Sequence, residues 1–237
     1  MLNNIREKYP ILAGMLDFVF PPLCAGCGKF DESAEGICES CQKAIETFSL
    51  PICLSCESVL QENVKCPICA DKVFPLFAYG NYQPPLQEII IQFKFRDVLG
   101  PVKLLTANLV ETFASKLQHL SADCLVPVPL HPQREHRRGY NQANIIAETL
   151  SPLLELPVRA NLIQRTGKRR PQARLNFASR AQNVKGAFSI TQKQSEPEKI
   201  LLVDDVVTTG ATVTELKKVL EKARHKVVGV IALAHGV

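Results

Sequence analysis

The run Ile200-Leu201-Leu202-Val203-Asp204-Asp205-Val206-Val207-Thr208-Thr209-Gly210-Ala211-Thr212 decides how this chain is read. Four consecutive apolar residues at its head have the pattern of a strand buried on both faces. Two carboxylates follow at the carboxyl end, the edge at which open α/β sheets place their ligands. A loop of small residues, Thr208 to Thr212, then opens a helix, and Thr212 with Glu215 has the spacing of a capping box. Backbone N–H groups at a helix start point outward, and the helix dipole favours an anion there. Gly210 lets the backbone approach a phosphate closely. Thr208, Thr209 and Thr212 add hydroxyl donors. Asp204 and Asp205 would repel a phosphate, so they belong on a hydroxyl-bearing part of the ligand, with room for a divalent ion nearby. A sugar phosphate meets both demands. The run has no Gly-Lys-Ser/Thr ending and is not a Walker A loop. The reading requires an open junction, and acids that are not turned inward and tied up by Arg or Lys.

Working outward from the run, apolar segments at 73–83, 124–128, 157–162 and 226–234 read as further strands. Helical spacing at 84–95, 101–118, 141–151 and 213–224 places helices between and after them. The expected fold is therefore α/β, a mostly parallel sheet with flanking helices. The polar, basic stretch 166–183 reads as a mobile loop and 191–198 as a short linker. Net charge is +5, but eleven Arg and Lys against three acids between 124 and 190 give that segment +8. A basic surface beside a phosphate loop suits an anionic ligand.

Eight of the nine cysteines fall in four CxxC doublets, Cys24/Cys27, Cys38/Cys41, Cys53/Cys56 and Cys66/Cys69. Two thiolates two residues apart reach one ion from a tight turn, and a second doublet completes a tetrahedral set. The segment holds little else to form a core and needs a staple. Two structural zinc ions fit better than an iron–sulfur cluster, a single redox motif or disulfides, which belong to secreted chains. Sequential pairing of the doublets is expected, with a cross-braced pairing as the alternative. Cys124 heads an apolar run and reads as a buried strand residue.

The 237 residues allow one or two domains, and 46% hydrophobic with 22% charged residues is the composition of a protein with a real core. Ile11 to Phe20 is apolar apart from Gly14 and Asp17. It is much shorter than the ~20 residues of a membrane span and reads as part of an amphipathic helix. The chain is expected to divide into this helix (1–20), a zinc module (21–72) and an α/β domain (73–237). It is expected not to span a membrane and to reside in the cytoplasm.

The run at 200–212 resembles the signature with which type I phosphoribosyltransferases bind phosphoribosyl pyrophosphate (PRPP). The wider chain resembles the ComF family, which joins a double zinc ribbon to such a domain. The resemblance is carried by Phe20-Pro-Pro-Leu-Cys-Ala-Gly-Cys-Gly, Phe93-Lys-Phe-Arg, Leu125-Val-Pro-Val-Pro-Leu, Arg137-Arg-Gly-Tyr-Asn-Gln-Ala, Gln172, Ala178-Ser-Arg and Asn183-Val-Lys-Gly-Ala-Phe. It covers nearly the whole length. It implies that Asp204 and Asp205 bind the ribose hydroxyls and that Thr208, Thr209, Gly210, Ala211 and Thr212 hold the 5′-phosphate. It implies further that Arg134, Arg137 and Arg138, after the Val126-Pro-Val-Pro turn, face pyrophosphate or DNA. Magnesium would come with PRPP. The 166–183 loop would close over the reaction centre, bringing Arg169, Arg170 and Arg180.

Two functions of different class follow. One is transfer of a phosphoribosyl group, for which no acceptor-base site is legible in the chain. The other, from the link of ComF proteins to DNA uptake in natural competence, is a non-catalytic protein that binds single-stranded DNA or a partner of the uptake machinery. Aromatic content of 6% with no Trp disfavours base stacking and favours a salt-sensitive electrostatic mode.

Overall fold

The computed structural model describes residues 21–31, 33, 35–61, 64–70, 72–96, 99–166, 186–191 and 196–236. The expected helix over 1–20 and nearly all of the 166–183 loop lie outside these residues.

A five-stranded sheet organises the chain in the order β1 (Ile52–Cys53), β2 (Pro75–Asn81), β7 (Lys226–His235), β6 (Lys199–Val207), β3 (Cys124–Pro127). Strands β2, β7, β6 and β3 are parallel, and β1 adds antiparallel to the edge. Helix α1 (Glu39–Ala44) precedes β1, and α2 (Leu86–Arg96) and α3 (Gly100–His119) follow β2. Helices α4 (Pro132–Arg138) and α5 (Gln142–Leu154) follow β3, and α6 (Ala211–Lys222) joins β6 to β7. A small antiparallel pair, β4 (Ile163–Arg165) with β5 (Phe188–Ile190), stands apart from the main sheet.

The apolar run in β6 is continuous because both faces of the strand are covered. Leu201 and Val203 pack with Ile90, Leu109 and Ile146 from α2, α3 and α5. Ile200 and Leu202 pack with Val213, Leu216 and Leu220 of α6. Side chains of a strand alternate between faces, so one apolar run supplies two cores.

The cysteine-rich segment is sewn onto the same sheet. Ile52 and Cys53 pair with Leu76 and Pro75, and Leu54 N donates to Phe74 O at 2.8 Å. Upstream, Phe48 N donates to Tyr79 O and Asn81 N to Glu46 O. Between them lies Gly80, where a Cβ would stand 2.4 Å from the Glu46 carbonyl oxygen, so only glycine permits that approach.

Several expected boundaries move. Strand β6 runs to Val207, which places both aspartates inside the strand rather than beyond it. Segment 157–162 is not a strand: it makes a single parallel bridge, Val158 to Leu125, and turns away. Helix α6 begins at Ala211 with left-handed Gly210 as its N-cap. The capping box is not formed, because Glu215 Oε1 instead accepts from Gly186 N at 2.9 Å.

Candidate functional site

The junction of β6 and α6 is open. Asp204, Val206, Val207, Thr208, Thr209, Gly210, Ala211, Thr212 and Val213 line a pocket at the carboxyl end of the sheet. Thr209 is exposed, Thr208 and Thr212 are half-buried, and Gly210 is buried with φ +68°. That left-handed step turns the chain from strand into helix, so the first amides of α6 are at the pocket. The start of the loop is held from β7: Gly236 N donates to Val207 O at 3.0 Å, and His235 Nδ1 lies 2.9 Å from the same oxygen.

The two aspartates have different surroundings. Asp204 lines the pocket, and its Oδ1 accepts from Asp205 N at 2.9 Å. Desolvation pushes the Asp204 carboxyl up to about 8, and the neighbouring Asp205 carboxylate adds to the rise; the Asp205 amide and the Lys94 ammonium oppose it. Asp205 is not among the pocket residues. Its Oδ2 forms an ion pair with Lys94 Nζ of α2 at 2.9 Å, with both side chains largely buried. Of the two ways in which the sequence reading would fail, closure of the junction does not occur, and neutralisation by a basic residue occurs at one acid of the two. Lys94 was not legible as a site residue. Its segment, Phe93-Lys-Phe-Arg, carries part of the family resemblance, but a contact across 111 positions has no local signal.

Arg134 and Arg137 are exposed on α4, and Arg138 Nη1 donates to Gln142 Oε1 at 2.9 Å. Helix α4 follows the carboxyl end of β3, which is the parallel neighbour of β6. All three arginines therefore come from the same edge of the sheet as the pocket. Asn141 caps α5 through Ala143 N and also donates to Val128 O, and Tyr140 OH donates to Phe93 O. Arg169, Arg170 and Arg180 lie outside the described residues.

The cysteines form two groups, Cys24/Cys27/Cys38/Cys41 and Cys53/Cys56/Cys66/Cys69, with all sulfurs of a group within 4.8 Å of one another. Tetrahedral zinc with bonds of ~2.3 Å requires sulfurs about 3.8 Å apart. Cys27 and Cys38 are 3.8 Å apart and Cys56 and Cys66 3.4 Å, so both groups fit the ion and the pairing is sequential. Amides already point at the sulfurs: Cys38 N and Gly26 N at Cys24 Sγ, and Cys69 N at Cys66 Sγ. The hydroxyl of Ser40 pulls the Cys38 thiol down to about 6, and that of Ser58 does the same for Cys56. Hydrogen bonding from Cys56, and then burial, push Cys69 up to about 12. A bound cation would ionise all four ligands of a group. All nine cysteines are free thiols, and burial pushes the lone Cys124 up to about 12.

Fold and site define an α/β protein with an open strand–loop–helix junction at the carboxyl end of its sheet and a module of two four-cysteine groups built onto that sheet. A double zinc ribbon domain family matches residues 15–71. Competence protein F of Haemophilus influenzae is 34% identical over 212 residues, covering 84% of this chain and 90% of its own. The DNA utilization protein YhgH of Escherichia coli K12 is 31% identical over 192 residues, 78% of this chain and 84% of its own. The crystal structure of an adenine phosphoribosyltransferase covers 64% of this chain and 69% of that one, with 16% identity and a TM-score of 0.33, a similarity too loose to build on. The chain belongs to the ComF family. No helix among the described residues is long and apolar enough to cross a membrane.

Proposed function

We propose that this protein binds PRPP or a related sugar phosphate at the β6–α6 junction and serves the uptake or use of DNA, as the names of its relatives indicate for them. The observation that carries the reading is the pocket in which Asp204 and Thr208 to Thr212 meet around a left-handed Gly210 at a helix N-terminus. The amides and hydroxyls of 208–212 take the 5′-phosphate. Asp204 takes a ribose hydroxyl. Asp205 joins it by sharing its carboxylate between the ligand and Lys94. Magnesium accompanies the pyrophosphate, which Arg134, Arg137 and Arg138 face. Free thiols in metal-fitting groups favour a reducing, cytoplasmic setting.

Thr209 is exposed, so Thr209→Ala should leave thermal stability unchanged while weakening PRPP binding ~10–100-fold, the worth of one hydrogen bond to a charged group. Thermal unfolding reads the first quantity and calorimetric titration the second, and unchanged affinity would remove the site.

The exposed Arg134 and Arg137 favour a second reading, a non-catalytic protein holding single-stranded DNA. Pyrophosphate release from PRPP across a panel of bases and amines, beside DNA binding at two salt levels, separates the two. Release with one acceptor supports the transferase. Salt-sensitive DNA binding with no release supports the binding protein.

A further inference from the structure

The proposed phosphate loop is covered by a residue of the metal module. Leu54 stands between Cys53 and Cys56 in the second four-cysteine group. Its backbone is fixed to the sheet by the pairing of Cys53 with Pro75 and by the bond from Leu54 N to Phe74 O. Its side chain lies against Gly210: a Cβ built there would have Leu54 Cδ2 at 3.4 Å and Cβ and Cδ1 at 3.8 Å. Gly210 is the residue whose left-handed conformation turns β6 into α6, and it is buried while Thr209 beside it is exposed. Leu54 also packs at the margin of the core formed by Leu202, Val213 and Leu216, the residues that flank the loop on either side. The wall behind the phosphate loop is therefore supplied by the knuckle that carries two of the four sulfurs of the second group.

We infer that Leu54 is a positioning residue for the 208–212 loop and couples the second four-cysteine group to ligand binding. A metal ion that ties Cys53 and Cys56 to Cys66 and Cys69 fixes the turn that presents Leu54. Loss of that ion releases the turn, uncovers Gly210 and lets the loop leave the conformation in which its amides converge. Coupling between two sites is reciprocal, so a ligand that orders the loop also tightens the second metal. The ligand part of this inference rests on the sugar-phosphate reading above; the mechanical part does not.

The test uses full-length, metal-loaded protein and four variants: Leu54→Ala, Leu54→Met, Cys69→Ser and, as a control, Ile68→Ala, at a residue of the other knuckle that is 71% exposed. Amide hydrogen exchange of 208–213 is the first readout. Leu54→Ala should speed exchange there about 10-fold, within the usual range of coupling strengths, while both metals are retained. Leu54→Met should restore protection, since the two side chains have similar volume. Cys69→Ser should reproduce the loosening, and Ile68→Ala should leave exchange as in the wild type. Wild-type exchange of the loop in Leu54→Ala would overturn the inference, and so would a loss of protection spread evenly over β6 and β7. The second readout is PRPP affinity, which should weaken about 10-fold in Leu54→Ala. A wild-type protein that does not bind PRPP would sink the sugar-phosphate reading, with the exchange data still deciding the role of Leu54.

Discussion

The two four-cysteine groups have the same doublet spacing and different neighbours. In the first, the knuckle is Cys24-Ala25-Gly26-Cys27. Ala25 is buried, Cys27 is exposed, and a Cβ at Gly26 would meet Pro85 ahead of α2 at 3.1 Å. In the second, the knuckle is Cys53-Leu54-Ser55-Cys56. Cys53 is fully buried on a strand of the main sheet, and Leu54 reaches Gly210 of the 208–212 loop. Spacing of the cysteines sets which ion can bind. The residue following the first cysteine, Ala25 in one and Leu54 in the other, sets what the ion can influence. One group lies beside the residue that precedes α2, and the other backs the loop that lines the pocket.

The largest test of this contrast compares Cys53→Ser with Cys27→Ser. Binding of a structural zinc ion contributes on the order of 10 kcal/mol in isolated fingers. Cys53 is fully buried whereas Cys27 is exposed, so the serine hydroxyl is also left buried without a partner, and Cys53→Ser should lower unfolding free energy by about 1–3 kcal/mol more than Cys27→Ser. Urea denaturation of metal-saturated protein reads the difference, and equal losses would make the two groups equivalent. Gly80→Ala comes next. Its Cβ would collide with the Glu46 carbonyl, in the segment between the two groups, and should cost about 1–3 kcal/mol with both metals retained. Loss of one metal in that variant would show which group depends on the seam. The last test concerns the pocket itself. The folded chain holds Asp204 protonated up to about 8 against an ordinary value of 3.8. Between those values the folded state binds a proton that the unfolded state releases, so stability from this group falls as pH rises. Asp204→Asn should therefore match the wild type near pH 4 and gain on it steadily towards pH 8. The reverse trend would mean that the carboxylate is stabilised when ionised.

Much of this arrangement is written locally. The eight cysteines announce their two groups because metal ligation needs only short-range turns. Strand β6 is legible because four apolar residues can be covered only from both sides. The segment 157–162 misleads because Val158, Ala160 and Leu162 alternate as in a strand without being flanked: Val158 has a neighbour strand on one side only. Helix α4 has too few apolar residues for any periodicity, although Pro132 at its start and left-handed Gly139 at its end were available signals. Strands β4 and β5 are three residues each and pair across more than twenty positions. Lys94 on Asp205 and Leu54 on Gly210 are long-range contacts, and only the assembled sheet brings them together. Asp204 and the threonines of the pocket, with Asp205 beside them, were picked out from sequence; the groups that restrain the acids and the loop were not.

The central claim is that the amides of 208–212 receive a phosphate while Asp204 holds the attached sugar. Backbone amide NMR during titration with PRPP tests it most directly. Saturable shifts centred on Thr208 to Thr212, reproduced more weakly by ribose 5-phosphate and much reduced in Thr209→Ala, are the expected result. Shifts confined to the exposed arginines of α4, or no saturable change at the junction, would contradict it.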